Sequence, residues 1–277
     1  MTDAPTPAEI EARLAFAATI AGEAGSRLFE LRASGRWTDE ATLGDIGDQA
    51  ADGFLQGYLR GRHPEDGILS EETVDSPERH SRRWTWIIDP LDGTNEFRTQ
   101  RHDWAVHVGL CRDGRPLLGA VALPAIGRVL AGVVGDTMRA AVAGHGGDWP
   151  TALAPADAGG GAEDGPLRIA VSRSHTPSLV QRFADAWGPH ELIPCGSVGF
   201  KVALLLFGKA DAYVHKKGLK EWDTCAPEAI ATAAGFCVSR LDGSAHRYNR
   251  TDPRNDEILV CRPAHKERIL ACLRPLL

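Results

Sequence analysis

Trp86-Ile87-Ile88-Asp89-Pro90-Leu91-Asp92-Gly93-Thr94 carries more structural information than any other stretch of this chain. Trp84 to Ile88 is apolar on both faces apart from Thr85, which predicts a central strand. Such a strand delivers Asp89 at its carboxyl end, where open α/β sheets place their ligands. Pro90 stiffens the exit, and Asp92 returns three residues later in a turn. Two carboxylates this close repel unless a cation lies between them. Hard cations such as Mg²⁺ take oxygen ligands, and Leu91 offers its backbone carbonyl beside them. Gly93-Thr94 then opens a short helical turn whose free N–H groups suit a phosphate, with no side chain on Gly93 in the way. In isolation the same residues read first as turn chemistry, an Asp-Pro strand end followed by an aspartate cap.

Upstream, Thr6-Pro7-Ala8-Glu9 has the form of a capping box with proline at the first helical position. Ile10, Leu14, Ala17, Ala21, Ala24, Leu28 and Leu31 continue it as one apolar helical stripe ending near Gly35. A second helix is expected from about Asp45 to Arg60, burying Ile46, Ala50, Phe54, Leu55 and Tyr58. The strand Gly67 to Ser70 ends in Glu71-Glu72, which would stand beside Asp89 if the two strands are neighbours. Downstream, Ala105–Cys111 and Pro116–Leu123 flank a hairpin signal, and 128–134 and 138–143 extend the same antiparallel sheet. Residues 144–165, rich in Gly, Ala, Pro and Asp, read as a linker or mobile loop. Beyond them strand and helix alternate: strands at 167–172, 212–215, 237–240 and 257–261, helices at 177–187, 198–207, 225–234 and 266–273. Glu221-Trp222-Asp223 precedes the third of these helices, where Asp223 also reads as a cap. The expectation is a mixed α/β protein with an N-terminal α+β unit (1–143) and a C-terminal α/β unit (166–277).

The chain has 277 residues, 43% hydrophobic and 25% charged, within the range of ordinary globular proteins. Its net charge of −6 argues against an electrostatic grip on nucleic acid or an anionic membrane. No stretch approaches the apolar length of a membrane span. The six cysteines are scattered and the N-terminus lacks the pattern of a secretory signal, so the cytoplasm is the expected location.

Leu69-Ser70-Glu71-Glu72, then Trp86 to Thr94, then Glu221-Trp222-Asp223-Thr224-Cys225-Ala226-Pro227 resemble, in order and element type, the signature set of the inositol monophosphatase superfamily. The resemblance runs over nearly the whole chain. It implies a layered αβαβα sandwich of the inositol monophosphatase and fructose-1,6-bisphosphatase type. It also implies two to three Mg²⁺ ions held by Glu71, Asp89, the Leu91 carbonyl, Asp92 and Asp223. Asp48 matches a family aspartate that works with Thr94 to orient and deprotonate the attacking water, with Glu71 in the catalytic set. The resemblance further implies a homodimer and lithium sensitivity.

Asp103-Trp104-Ala105-Val106-His107, Gly196-Ser197-Val198-Gly199-Phe200-Lys201 and Ser239 to Ser244 are similar to the bisphosphate nucleotidase (CysQ-type) branch. That branch removes the 3′-phosphate of adenosine 3′,5′-bisphosphate in sulfur metabolism. Gly93, Thr94, Gly196, Ser197, Lys201 and Asp223 are the substrate contacts it implies, with an adenine nucleotide as the small phosphorylated partner. His215, Lys216, Lys217 and Lys220 read equally as a second phosphate site and as a solvated basic loop. Tyr248 reads as pocket wall or packed core, and His102 and His107 as structural residues without a catalytic role. An inositol or sugar phosphate is the alternative substrate, and a catalytically silent metal-binding regulator is the alternative class.

Overall fold

The computed structural model describes residues 5–135, 139–144, 151–152, 165–174 and 176–277. Helix α1 (Pro7–Ala33) begins where expected, with Thr6 Oγ1 accepting the Glu9 N–H at 3.2 Å. Its stripe of Leu14, Ala17, Ala21, Ala24 and Leu28 is buried. Helix α2 (Glu40–Arg62) starts earlier than expected because Asp39 caps it, its carboxylate accepting the Thr42 N–H at 2.7 Å. Its buried face also differs. Leu55 is buried as expected, but Ala50 and Tyr58 are exposed and Ile46 and Phe54 only half-buried. Leu43, Gly47, Ala51, Leu55 and Leu59 face the core instead. The true stripe is hidden in the sequence because two of its members are small. At Gly47 a Cβ would meet Phe97 at 2.9 Å and Leu91 at 3.1 Å, so the missing side chain lets α2 approach the central motif.

The first sheet runs β1 (Gly67–Ser70), β2 (Thr85–Asp92), β3 (Ala105–Arg112), β4 (Arg115–Leu123), β5 (Arg128–Val133), β6 (Arg139–Gly144) and β7 (Thr151–Ala152). Neighbours follow chain order, with β1 and β2 parallel and the rest antiparallel. Strand β7 falls inside the segment expected to be linker, most of which lies outside the described residues.

The second sheet holds β8 (Leu167–Ser172), β9 (His190–Cys195), β10 (Ala212–Lys216), β11 (Cys237–Ser239) and β12 (Glu257–Cys261), in the order β11-β12-β10-β8-β9. Strand β9 has no clean alternation and contains Pro194, which is tolerated because β9 is an edge. The remaining helices are α3 (Thr94–Arg98), α4 (Ser178–Trp187), α5 (Val198–Leu206), α6 (Glu221–Ala233) and α7 (Lys266–Leu273).

Five layers result. Helices α1 and α2 cover one face of the first sheet, while α5 and α6 lie between the two sheets and α4 and α7 close the far side of the second. The αβαβα expectation is met. Alternate residues of the central strands feed different layers: Trp86, Ile88, Val106 and Val108 pack under α1 and α2, and Ile87 and Cys111 pack toward Cys225 of α6. Gly109 and Gly119 pair across β3 and β4 directly beneath α6. A Cβ on Gly119 would lie 2.4 Å from the Ala226 carbonyl oxygen, and one on Gly109 would lie 2.8 Å from Cys225 Sγ. These glycines bring α6 close to the sheet, and with it Asp223 close to the end of β2. No helix of the described residues is long and apolar enough to cross a membrane.

Candidate active site

Every position of β2 is buried, including its two aspartates. In a regular strand Asp89 and Asp92, three apart, would face opposite sides. The β2–β3 register is broken between them, so the bulge at Pro90-Leu91 turns both carboxylates to one side. Parallel pairing of β1 with β2, Ser70 opposite Ile88, sets Glu71 at the same end of the sheet. Helix α6 begins at Glu221 rather than Cys225, which puts Asp223 in its first turn rather than at the cap. There Asp223 accepts the Lys220 backbone N–H at 2.6 Å through Oδ2.

The electrostatics describe a cluster of negative charge short of a cation. Burial first, then the charges of Glu71, Asp92 and Asp223, pushes the Asp89 carboxyl well above the usual carboxylate range. Asp223 is raised to about 7 by burial and by Asp92. Glu71 stands at the mouth with its outer surface open to water. Crowding by protein on its inner side, and then Asp223, Glu72, Asp92 and Asp48, raise it to about 8. Burial pushes Asp92 upward as well, but His107, Lys201 and the Gly199 N–H outweigh it and hold Asp92 below its ordinary value.

A metal fits this donor set. Asp89 Oδ1 accepts the Leu91 N–H at 3.1 Å, while Oδ2 is buried without a hydrogen-bond partner among the described residues. Asp92 Oδ2 takes the Gly199 N–H at 2.9 Å and lies 3.0 Å from His107 Nε2, leaving Oδ1 for a cation. Hard oxygen donors dominate, as Mg²⁺ requires. Ligand atoms of Asp89, Asp92 and His107 all lie within 4.8 Å of one another. His107, read from the sequence as a structural residue of the sheet, is therefore part of the site's wall.

Asp48 and Thr94 meet as the sequence suggested: Thr94 Oγ1 is 3.3 Å from Asp48 Oδ1 and 3.2 Å from the Leu91 carbonyl. Asp48 is not a solvated helix residue. Burial, followed by the charge of Glu72, raises its carboxyl to about 7.

The expected substrate contacts are placed less openly. Gly93, in the left-handed region at φ 94°, packs against Ser197 and Trp104. Ser197 is buried, and its hydroxyl caps α5 by accepting the Phe200 N–H at 2.9 Å. Lys201 is buried too, with Nζ donating to the carbonyls of Gly196 and Ser197. Its ammonium compensates the charge of Asp92 from behind the site. Gly196 donates its N–H to Asp103, which also binds Arg173.

His215 lies buried in β10 with Nε2 3.1 Å from the Lys217 carbonyl, so the basic stretch divides between strand and exposed turn. Tyr248 is packed, its hydroxyl donating to Glu228 at 2.7 Å and lying 3.1 Å from the Thr224 hydroxyl. Cys225 is a buried thiol held well above its ordinary pKa by burial, unsuited to act as a thiolate.

Residues 6–276 match the model of the inositol monophosphatase family. The 3′-phosphoadenosine 5′-phosphate phosphatase of Mycobacterium bovis is 39% identical over 246 residues, covering 87% of this chain and 85% of that protein. The 3′(2′),5′-bisphosphate nucleotidase CysQ of Aggregatibacter actinomycetemcomitans is 31% identical, covering 84% and 86%. Among solved structures, CysQ from Bacteroides thetaiotaomicron superposes with a TM-score of 0.76 at 27% identity, covering 91% of this chain and 97% of that one. By sequence over nearly its full length and by fold, the chain belongs to the inositol monophosphatase family.

Proposed function

We propose that this protein is a Mg²⁺-dependent phosphomonoesterase that hydrolyses the 3′-phosphate of adenosine 3′,5′-bisphosphate, or of its 5′-phosphosulfate analogue, to the 5′-nucleotide in sulfur metabolism. The observation that carries the reading is the meeting of Glu71, Asp89, Asp92 and Asp223 around an unpartnered Asp89 oxygen, with Asp48 and Thr94 alongside. Relatives at 38–39% identity that bear the name 3′-phosphoadenosine 5′-phosphate phosphatase support the substrate.

Glu71, Asp89, Asp92, Asp223 and the Leu91 carbonyl would hold two to three Mg²⁺ ions. When bound, the ions supply positive charge that acidifies the attacking water, offsets the phosphate's charge and stabilises the departing oxygen. The chain's own residues orient and move protons. Asp48, with a carboxyl titrating near 7, is a base matched to neutral pH and takes the water's proton through the Thr94 hydroxyl. The water oxygen then bonds to phosphorus in line as the bond to the 3′-oxygen breaks, and that oxygen takes a proton from solvent water as it leaves.

In this reading residues 1–143 supply most ligands, 166–277 supply Asp223 and the pocket, and 144–165 join them. A cytoplasmic homodimer completes the proposal. The six free thiols suit a reducing compartment. Sedimentation at micromolar concentration tests the dimer. The test of function is the product. Incubated with Mg²⁺ and adenosine 3′,5′-bisphosphate, the enzyme should yield 5′-AMP and inorganic phosphate. Release of 3′-AMP, or no release with metal bound, would refute it, the second outcome pointing to a regulatory protein.

A further inference from the structure

His107 occupies a position that its place in an apolar strand does not announce. It is fully buried on β3, opposite Asp89 in the register, with its two ring nitrogens turned to different parts of the site. Nδ1 lies 3.2 Å from the carbonyl of Trp222, the residue before Asp223. Nε2 stands 3.0 Å from Asp92 Oδ2, although its N–H is not aligned for a hydrogen bond. The same oxygen accepts the Gly199 N–H at the start of α5. A Cβ on Gly199 would lie 2.3 Å from Nε2, so only glycine there leaves room for the ring. The backbone of α5 thus packs closely against that nitrogen, beside the Asp92 oxygen that the Gly199 N–H also holds.

We propose that His107 is a positioning residue that sets Asp92 and Asp223 in register with each other, by holding one carboxylate directly and the other through the carbonyl beside it. Asp92 comes from the N-terminal sheet and Asp223 from a helix of the C-terminal half. Among the described residues, strand β2 supplies no partner for the Asp92 carboxylate, and α6 holds Asp223 only through the Lys220 N–H. The Trp222 carbonyl and the Asp92 oxygen are both acceptors, so the ring donates to the two together only with both nitrogens protonated. In that form it ties the two ligands into one rigid unit, as hydrogen-bonded partners of metal ligands do elsewhere. Lys201 and the Gly199 N–H compensate the charge of Asp92, while the ring fixes its direction. Glu71, Asp89, Lys201 and Tyr213 are further titratable groups that interact with Asp92 and Asp223, which also act on each other. The inference rests on the metal-site reading above.

Two conservative variants separate the halves of the contact. His107→Asn keeps a donor where Nδ1 stands and loses the reach to Asp92. His107→Gln keeps a donor near Nε2 and gives up the Trp222 carbonyl. Mn²⁺, which takes similar ligands to Mg²⁺, is titrated into the metal-free full chain and followed by its paramagnetic resonance, with melting curves as the control for folding. The expected result is a 10- to 100-fold loss of Mn²⁺ affinity in His107→Asn, in line with the loss of such a partner elsewhere, with most of it restored in His107→Gln. KM for the nucleotide at saturating metal should stay unchanged in both.

Wild-type affinity in His107→Asn would overturn the proposal and leave the metal site standing. Absence of Mn²⁺ binding by the wild type would instead refute the metal site itself. A nitrogen coupling on bound Mn²⁺ that identifies a directly bonded imidazole would make His107 a ligand and overturn its positioning role. Failure of both variants to fold would assign the ring to the fold alone and equally overturn it.

Discussion

At the scale of single residues, the site is a set of carboxylates in which Asp48, Glu71, Asp89 and Asp223 are raised and Asp92 is lowered. Asp48 and Asp223 titrate near 7 and Glu71 near 8, whereas unfolded carboxylates titrate near 4. Between those values the folded state binds more protons than the unfolded state, so stability falls as pH rises. The contribution of these groups is complete below about pH 4 and is lost as pH passes through 7 to 8. The metal-free protein should therefore melt at progressively lower temperature from pH 5 to pH 8, and saturating Mg²⁺ should remove most of that slope. A metal-free melting temperature independent of pH over that range would contradict the cluster. Asp89→Asn should raise the metal-free melting temperature while lowering kcat/KM by about a hundredfold or more, because a ligand is lost with the repulsion. Retention of full activity in the folded variant would remove Asp89 from the site. The acidic cluster was legible through the resemblance of its three motifs to the inositol monophosphatase superfamily, since each motif alone reads first as turn, cap or surface chemistry. His107 was not, since a histidine between valines reads as sheet packing until the structure sets it opposite Asp89 in the register with Nε2 3.0 Å from Asp92.

At the scale of elements, glycines decide how near the helices come. Gly119→Ala would drive a methyl group into the backbone of Ala226. Overpacking of this kind costs about 1–3 kcal/mol. Because relief requires α6 to move outward, Mg²⁺ affinity should fall together with stability. A loss of stability with metal affinity unchanged would mean that α6 does not set the position of Asp223. The same glycines show where sequence periodicity works and where it fails. The stripe of α1 is aliphatic and spaced for one face, so its buried side was readable. The buried side of α2 includes Gly44, Gly47 and Ala51, which carry little apolar signal, and the exposed Ala50 and Tyr58 carried more. Strand β9 escaped because an edge strand, half-exposed and bearing Pro194, needs no alternation.

At the scale of the whole molecule, function depends on two sheets from different halves of the chain holding one cluster. Arg173 at the end of β8 ties them, binding Asp103 at 2.6 Å and Glu96 at 3.3 Å on the N-terminal side. The arginine is 29% exposed, so solvent weakens the contribution of these ion pairs. Arg173→Ala should nonetheless destabilise by about 1–2 kcal/mol and raise KM more than it lowers kcat, because Asp103 also holds the Gly196 N–H of the pocket turn. An unchanged KM would detach the turn from substrate binding. The mixed α/β class was legible from the order of elements and the layering from the family resemblance, whereas the contacts between the halves join residues 70 or more positions apart and leave no local trace. The most direct test of the enzyme proposed here compares kcat/KM with Mg²⁺ for adenosine 3′,5′-bisphosphate, myo-inositol 1-phosphate and fructose 1,6-bisphosphate. A preference for the nucleotide of tenfold or more, about 1.4 kcal/mol of transition-state discrimination, is the predicted result. Equal or better turnover of inositol phosphate or the sugar bisphosphate would contradict it, preserving the metal chemistry and changing the substrate.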